Sequence, residues 1–228
     1  MNKKISIIYF ILTFCFSFGL GILFKDRYLL GSITLFLGFT QTYFMTKGKW
    51  YEEFVGIFET IMSTIVCILA CMYGGAIFTI LIYIPLSIFS IVNWKKNENN
   101  NIVQLNKMTI SKSIITILLV IVCTAILSFL LSLIPTQRLA FWDACGDILE
   151  ICGILLIAFR FKEGWIAWIL CNIVELTTWI IVLTKGYSQN AIMMIIMSVI
   201  YIGLNIWGYI SFIRLRKNQE ISQPIDKV

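Results

Sequence analysis

Eight apolar runs, each about as long as a bilayer is thick, leave this chain few ways to fold. They extend from Ile5 to Phe24, Tyr28 to Met45, Phe54 to Tyr73, Ala76 to Val92, Ser113 to Ile134, Ala144 to Phe159, Trp165 to Thr184 and Ala191 to Phe212. A helix needs about 20 residues to cross a hydrocarbon core about 30 Å thick. Only a helix satisfies the polar backbone of such a single segment in oil. Hydrophobic residues make up 59% of the 228 and charged ones 13%, so the expected fold is an all-α polytopic membrane protein with about eight transmembrane helices. The first run could pass for a signal peptide, but it continues to Phe24 without a clear small-residue cleavage site. It is expected to be a retained helix.

The net charge of +6 lies between the apolar runs instead of forming a patch, which argues against nucleic acid as a partner. With the N-terminus in the cytoplasm, fourteen of the eighteen Lys and Arg fall inside. Only Lys25, Arg27, Arg138 and Lys185 fall outside, so both termini are expected to be cytoplasmic. Seven cysteines show no paired metal spacing, and there is no histidine. Cys67 and Cys71, four apart, suit packing on one helical face better than a ligand pair. No G-x-x-x-x-G-K-[ST] loop occurs. Nothing suggests an enzyme, a metal site, a catalytic residue or a cofactor.

The longest loop, Asn93 to Lys112, is Asn-rich and reads as a solvated linker dividing the chain near its middle. Ile82-Tyr83-Ile84-Pro85-Leu86-Ser87-Ile88 resembles Ile200-Tyr201-Ile202-Gly203-Leu204-Asn205-Ile206, and the same offset sets Trp50 against Trp168. Basic clusters, Lys95/Lys96 and Arg214/Arg216, follow both members. This predicts an added N-terminal helix (1–27), a three-helix repeat (28–96), a cytoplasmic loop and linker helix (97–134), a second three-helix repeat (135–217) and a cytoplasmic tail (218–228). Such a 3+1+3 core is the plan of parallel-repeat transporters, and Pro85 and Gly203 would interrupt corresponding helices beside a midplane site.

One segment has an unusual face. Trp165, Trp168, Asn172, Glu175 and Trp179 follow one another at steps of three and four, within an arc of about 80°. An amide and a carboxylate at bilayer depth cost several kcal/mol unless they face protein or a cavity. Taken alone, Trp165 suits an interfacial belt, and an isolated Asn can be mere interhelical glue. Together they suggest the wall of a path. Asp143, Asp147 and Glu150 share a face of the preceding segment, with Asp143 at its entrance where it can cap the helix. Glu59 fits a site or a shallow position near cytoplasmic lysines equally well. Gln41 is a further candidate, as are the pseudo-equivalent stripes Tyr83/Ser87/Ser90 and Tyr201/Asn205/Gly208, which also suit helix packing. An acidic interior of this kind fits a small, flat, polar or cationic solute.

At Trp165-x-x-Trp168-x-x-x-Asn172 the chain resembles the PnuC-type vitamin transporters. The likeness extends through Phe141-Trp-Asp143, Arg160-Phe-Lys-Glu-Gly-Trp165 and Asn93-Trp94-Lys95-Lys96. The resemblance implies a fold related to the SWEET sugar transporters, often trimeric, and facilitated diffusion of nicotinamide riboside. It places Trp165, Trp168 and Asn172 on the substrate path. Asp147, Glu150 and Glu175 depart from the usual nicotinamide riboside pattern. The leading expectation is a uniporter in a bacterial inner membrane. Transport of thiamine or a nucleoside, or a non-transporting scaffold or sensor, remain the alternatives.

Overall fold

Most helices that follow one another in the chain pack together, and contacts between distant helices close the bundle. The computed structural model describes residues 3–24, 29–71, 73–99, 102–187 and 191–222. The helices are α1 (Lys3–Leu23), α2 (Leu30–Met45), α3 (Glu52–Leu69), α4 (Gly74–Phe78), α5 (Ile84–Lys96), α6 (Ile110–Ser132), α7 (Ala140–Ala158), α8 (Gly164–Thr184) and α9 (Ala191–Ser222). A π-helical turn, Thr79–Tyr83, joins α4 to α5. α2 lies on α3, α7 on α8 and α8 on α9, while α2 also meets α9 and α5 meets α7.

Among the described residues, five helical spans are long and apolar enough to cross a membrane: those in α1, α4 to α5, α6, α8 and α9. The remaining long helices, α2, α3 and α7, are shorter or carry the inward-facing acids. α6 keeps Ile114, Ile117, Leu118 and Ile121 more than half exposed. A row of that kind is a liability in water and ordinary in lipid. The chain is a multi-pass, all-helical membrane protein.

Left-handed turns recur at matching places along the chain. Left-handed conformations occur at Leu29 and Leu139, which precede α2 and α7, at Gly48 and Arg160, which follow them, and at Cys71 and Gly186, which follow α3 and α8. A left-handed non-glycine residue costs about 1 kcal/mol or more, so these turns are held by their surroundings. Partner separation grows from 110 (Leu29 to Leu139) through 112 (Gly48 to Arg160) and 115 (Cys71 to Gly186) to 118 (Tyr83 to Tyr201). The offset of 118 therefore holds only in the third helices. Trp50 stands in the turn before α3, whereas Trp168 is inside α8, and their match in sequence has no counterpart in the fold. Cys71 likewise lies beyond the end of α3 and shares no helical face with Cys67.

Pro85 has no amide hydrogen to give the carbonyl one turn back. Just before it the ladder slips by one residue, and the Ile84 amide reaches Thr79 O, five residues away. Gly203 does not interrupt its helix. α9 runs unbroken through it, because glycine, unlike proline, keeps its N–H.

The Asn93–Lys112 segment is more than a solvated linker. It carries a short antiparallel hairpin, β1 (Glu98–Asn99) with β2 (Ile102–Val103), and ties the loops after α2 and α7 to the end of α9. The Val103 amide donates to Gly48 O (3.2 Å), the Asn106 amide to Arg160 O (2.9 Å) and Gln219 Nε2 to Val103 O (2.8 Å). Asn93 Nδ2 and Trp94 Nε1 donate to Ala158 O and Ile157 O. Val103 is fully buried with Met45, Trp94, Ile157, Trp165 and Phe212 in an apolar cluster at this end. Partial burial lowers the pKa of Arg160, which donates to Gln104 O. At the opposite end, Arg138 covers the Tyr187 ring and its amide donates to Cys71 O.

Candidate functional site

Between the halves lies a cavity of about 160 Å³. Of the residues singled out by the sequence, Gln41, Glu59, Tyr83, Asp143, Asp147, Glu150, Trp165, Trp168, Asn172, Glu175, Trp179, Tyr201 and Asn205 line it, and Ser87, Ser90 and Gly208 do not. Their spacing explains why, since α7 and α8 each turn one face to the same space.

Trp165 is not a belt residue. It is 1% exposed and meets Trp168 edge-on at 5.4 Å and Phe212 at 5.3 Å. Two glycines make room for the pair. A Cβ on Gly208 would collide with the Trp165 ring, and one on Gly153 with the Trp168 ring. Gly208 is thus the seat of an aromatic side chain more than part of a polar stripe. Similarly, Gly38 admits Tyr201, whose hydroxyl donates to Thr34 O (3.0 Å) and Glu59 Oε1 (3.1 Å).

Glu59 lines the cavity far from any shallow lysine contact, with Thr60 donating to its other oxygen at 3.4 Å. Asp143 is no helix cap. α7 begins at Ala140, so Asp143 sits inside the first turn and accepts from Gln137 Nε2 at 2.7 Å. With Asp147, Glu150 and Glu175, five carboxyl groups line the space, and no Lys or Arg does. On one helix face, carboxylates about 6 Å apart repel by about 3 kcal/mol at an effective dielectric constant of about 20.

Buried polar atoms without partners show what the cavity lacks. Asn172 Nδ2 donates to Trp168 O at 2.8 Å, which fixes the amide and leaves its buried Oδ1 with no partner. Asp147 Oδ2 and Trp165 Nε1 are also unpartnered. Such groups cost about 1–3 kcal/mol each unless something meets them.

Two buried acids escaped the sequence reading. Glu52 and Glu53, in the first turn of α3, are at most 1% exposed. Glu52 accepts from Gln41 Nε2, and Ser87 and Ser90 lie beside Glu53. The sole hint was an acidic pair following an aromatic turn, which resembles any helix start at an interface. Ser87 and Ser90 do not line the cavity; they are fully buried behind it.

The chain matches the family model described as nicotinamide mononucleotide transporter over residues 28–214, which takes in α2 through most of α9. It is similar to the nicotinamide riboside transporter PnuC of Neisseria mucosa, with 23% identity over 198 residues, 82% of this chain and 73% of that protein. It also resembles the crystal structure of the vitamin B3 transporter PnuC, with a TM-score of 0.79 at 19% identity, covering 96% of this chain and 94% of the other. At that identity the structural likeness is one of fold.

Proposed function

This chain belongs to the nicotinamide mononucleotide transporter family, and from that membership we propose that it carries nicotinamide riboside across the membrane, with the cavity as its binding site. The observation that carries this is the pairing of two indoles with a fixed, unpartnered amide oxygen. Trp165 and Trp168 offer faces and edges to a flat cationic ring, an attraction of about 0.5–2 kcal/mol. Asn172 Oδ1 accepts from a carboxamide or a hydroxyl, and the surrounding carboxyl groups balance the ring's positive charge. This reading gives the cavity a binding role.

In this reading the two halves, alike in their backbone turns, rock about the cavity as parallel repeats. α1 adds an outer helix and α6 links the halves, which makes eight passes with both termini cytoplasmic in an inner membrane. The exposed faces of α1 and α6 suit lipid or the neighbours of a trimer. Transport is facilitated diffusion.

The test is flux into proteoliposomes. Wild-type protein should take up labelled nicotinamide riboside saturably, without an imposed proton gradient. Trp168→Ala and Asn172→Ala should each lower uptake at least tenfold while eluting as folded protein. Unchanged saturable uptake in both variants would reject this site.

A further inference from the structure

We propose that Glu52, Glu53, Ser87 and Ser90 form a site for one hard divalent cation, with calcium the best fit, which clamps α3 to α5 behind the cavity. The site stands apart from the transport reading, since none of the four side chains lines the cavity. Glu52 and Glu53 open α3, and Ser87 and Ser90 lie one turn apart on α5, the helix packed against it. All four are closed to solvent: Glu53 is 1% exposed and the other three 0%.

Five of the twelve buried side-chain atoms that lack a partner among the described residues belong to this spot: Glu52 Oε1, both Glu53 oxygens and the two serine hydroxyls. The carboxyls act on each other, and both hydroxyls face Glu53 without hydrogen-bonding it. These serines depart from the habit of hydroxyls elsewhere in the bundle. Thr34, Thr178 and Ser198 donate to the carbonyl four residues back, the usual resort in a helix cut off from water. Ser87 and Ser90 forgo that bond and turn to the acids instead.

Among the described residues neither acid has an ion pair. Two buried carboxylates without a countercharge are costly, whereas one divalent ion cancels both. The donors are all oxygen, with no thiol or imidazole, which favours calcium or magnesium over zinc or copper. Magnesium keeps several waters, and these atoms have no open side to receive them. Two carboxylates and two hydroxyls offer six oxygens, the lower end of calcium's range of about six to eight. Glu52 Oε2 also accepts from Gln41 Nε2 at 3.1 Å, so the clamp extends to α2.

The trial is a calcium titration of purified full-length protein stripped with chelator, read by melting temperature and by direct calcium binding. Wild type should bind a single calcium and melt about 5 °C higher at saturation, with a smaller shift in magnesium and none in sodium. Glu53→Gln should lose the shift yet melt no lower than wild type in chelator, because an amide needs no countercharge. Ser87→Ala/Ser90→Ala, which keeps both acids, should weaken calcium about tenfold or more, and it carries the test if Glu53→Gln does not fold. The cavity acids are a rival place for the ion, so Glu150→Gln should keep the shift. No calcium shift in wild type, an equal one in sodium, one intact in Glu53→Gln or in the double serine variant, or one lost in Glu150→Gln would overturn the site. Riboside uptake is measured separately and bears on the cavity alone.

Discussion

The two halves share their backbone turns and differ in what they turn toward the cavity. Leu29, Gly48 and Cys71 in the first half have left-handed counterparts in Leu139, Arg160 and Gly186. Yet the four tryptophans lining the cavity, Trp142, Trp165, Trp168 and Trp179, all come from the second half, as do four of its five acids. The first half supplies an amide, hydroxyls and one acid, including Gln41, Thr60, Thr64, Thr79 and Tyr83, together with the π turn. In the proposed function the aromatic wall is the one that grips and the hydroxyl-lined wall the one that closes over the solute.

That division can be broken most sharply at Gly208. Gly208→Leu forces the buried Trp165 ring from its seat, an overpacking that costs about 1–3 kcal/mol. Riboside uptake should fall to near background with a melting temperature lower by several degrees. Should uptake survive, the indole pair is not the grip. A smaller effect is expected in the first half. Thr64→Val removes the Thr64–Thr79 hydroxyl bond of 2.7 Å, worth about 1 kcal/mol, and should reduce flux about fivefold with melting nearly unchanged. A loss larger than that of Gly208→Leu would reverse the roles given to the two walls. The smallest change is expected at Gln219, which bonds β2 and the Leu105 amide from α9. Gln219→Ala should alter the maximal uptake rate about twofold and leave half-saturation in place; a shift confined to half-saturation would contradict its distance from the grip.

The site was more legible than the symmetry. Trp165 to Glu175 follow helical steps that survive any small error in the helix ends, and a polar face in oil has few explanations. The repeat was read at an offset of 118, true for Tyr83 and Tyr201 and untrue for Trp50, because the second half accumulates extra residues in its earlier helices and turns. The glycine at 203 was overvalued as a breaker, and the one at 208 undervalued as a seat. The role of Gly208 depends on which neighbour comes close, and that of Gly203 on the amide N–H that glycine keeps and proline lacks. The Asn-rich loop misled for a related reason. Its polarity marks solvent, while its structure comes from backbone amides that any sequence possesses.

Those amides set a limit on motion. Val103 is bonded to the loop after α2 and Asn106 to the loop after α7, so one short stretch of chain is fastened to both halves. Three residues extend to no more than about 11 Å. While both bonds last, the stretch works as a leash, and a mouth at this end opens only within its slack or after one bond lets go.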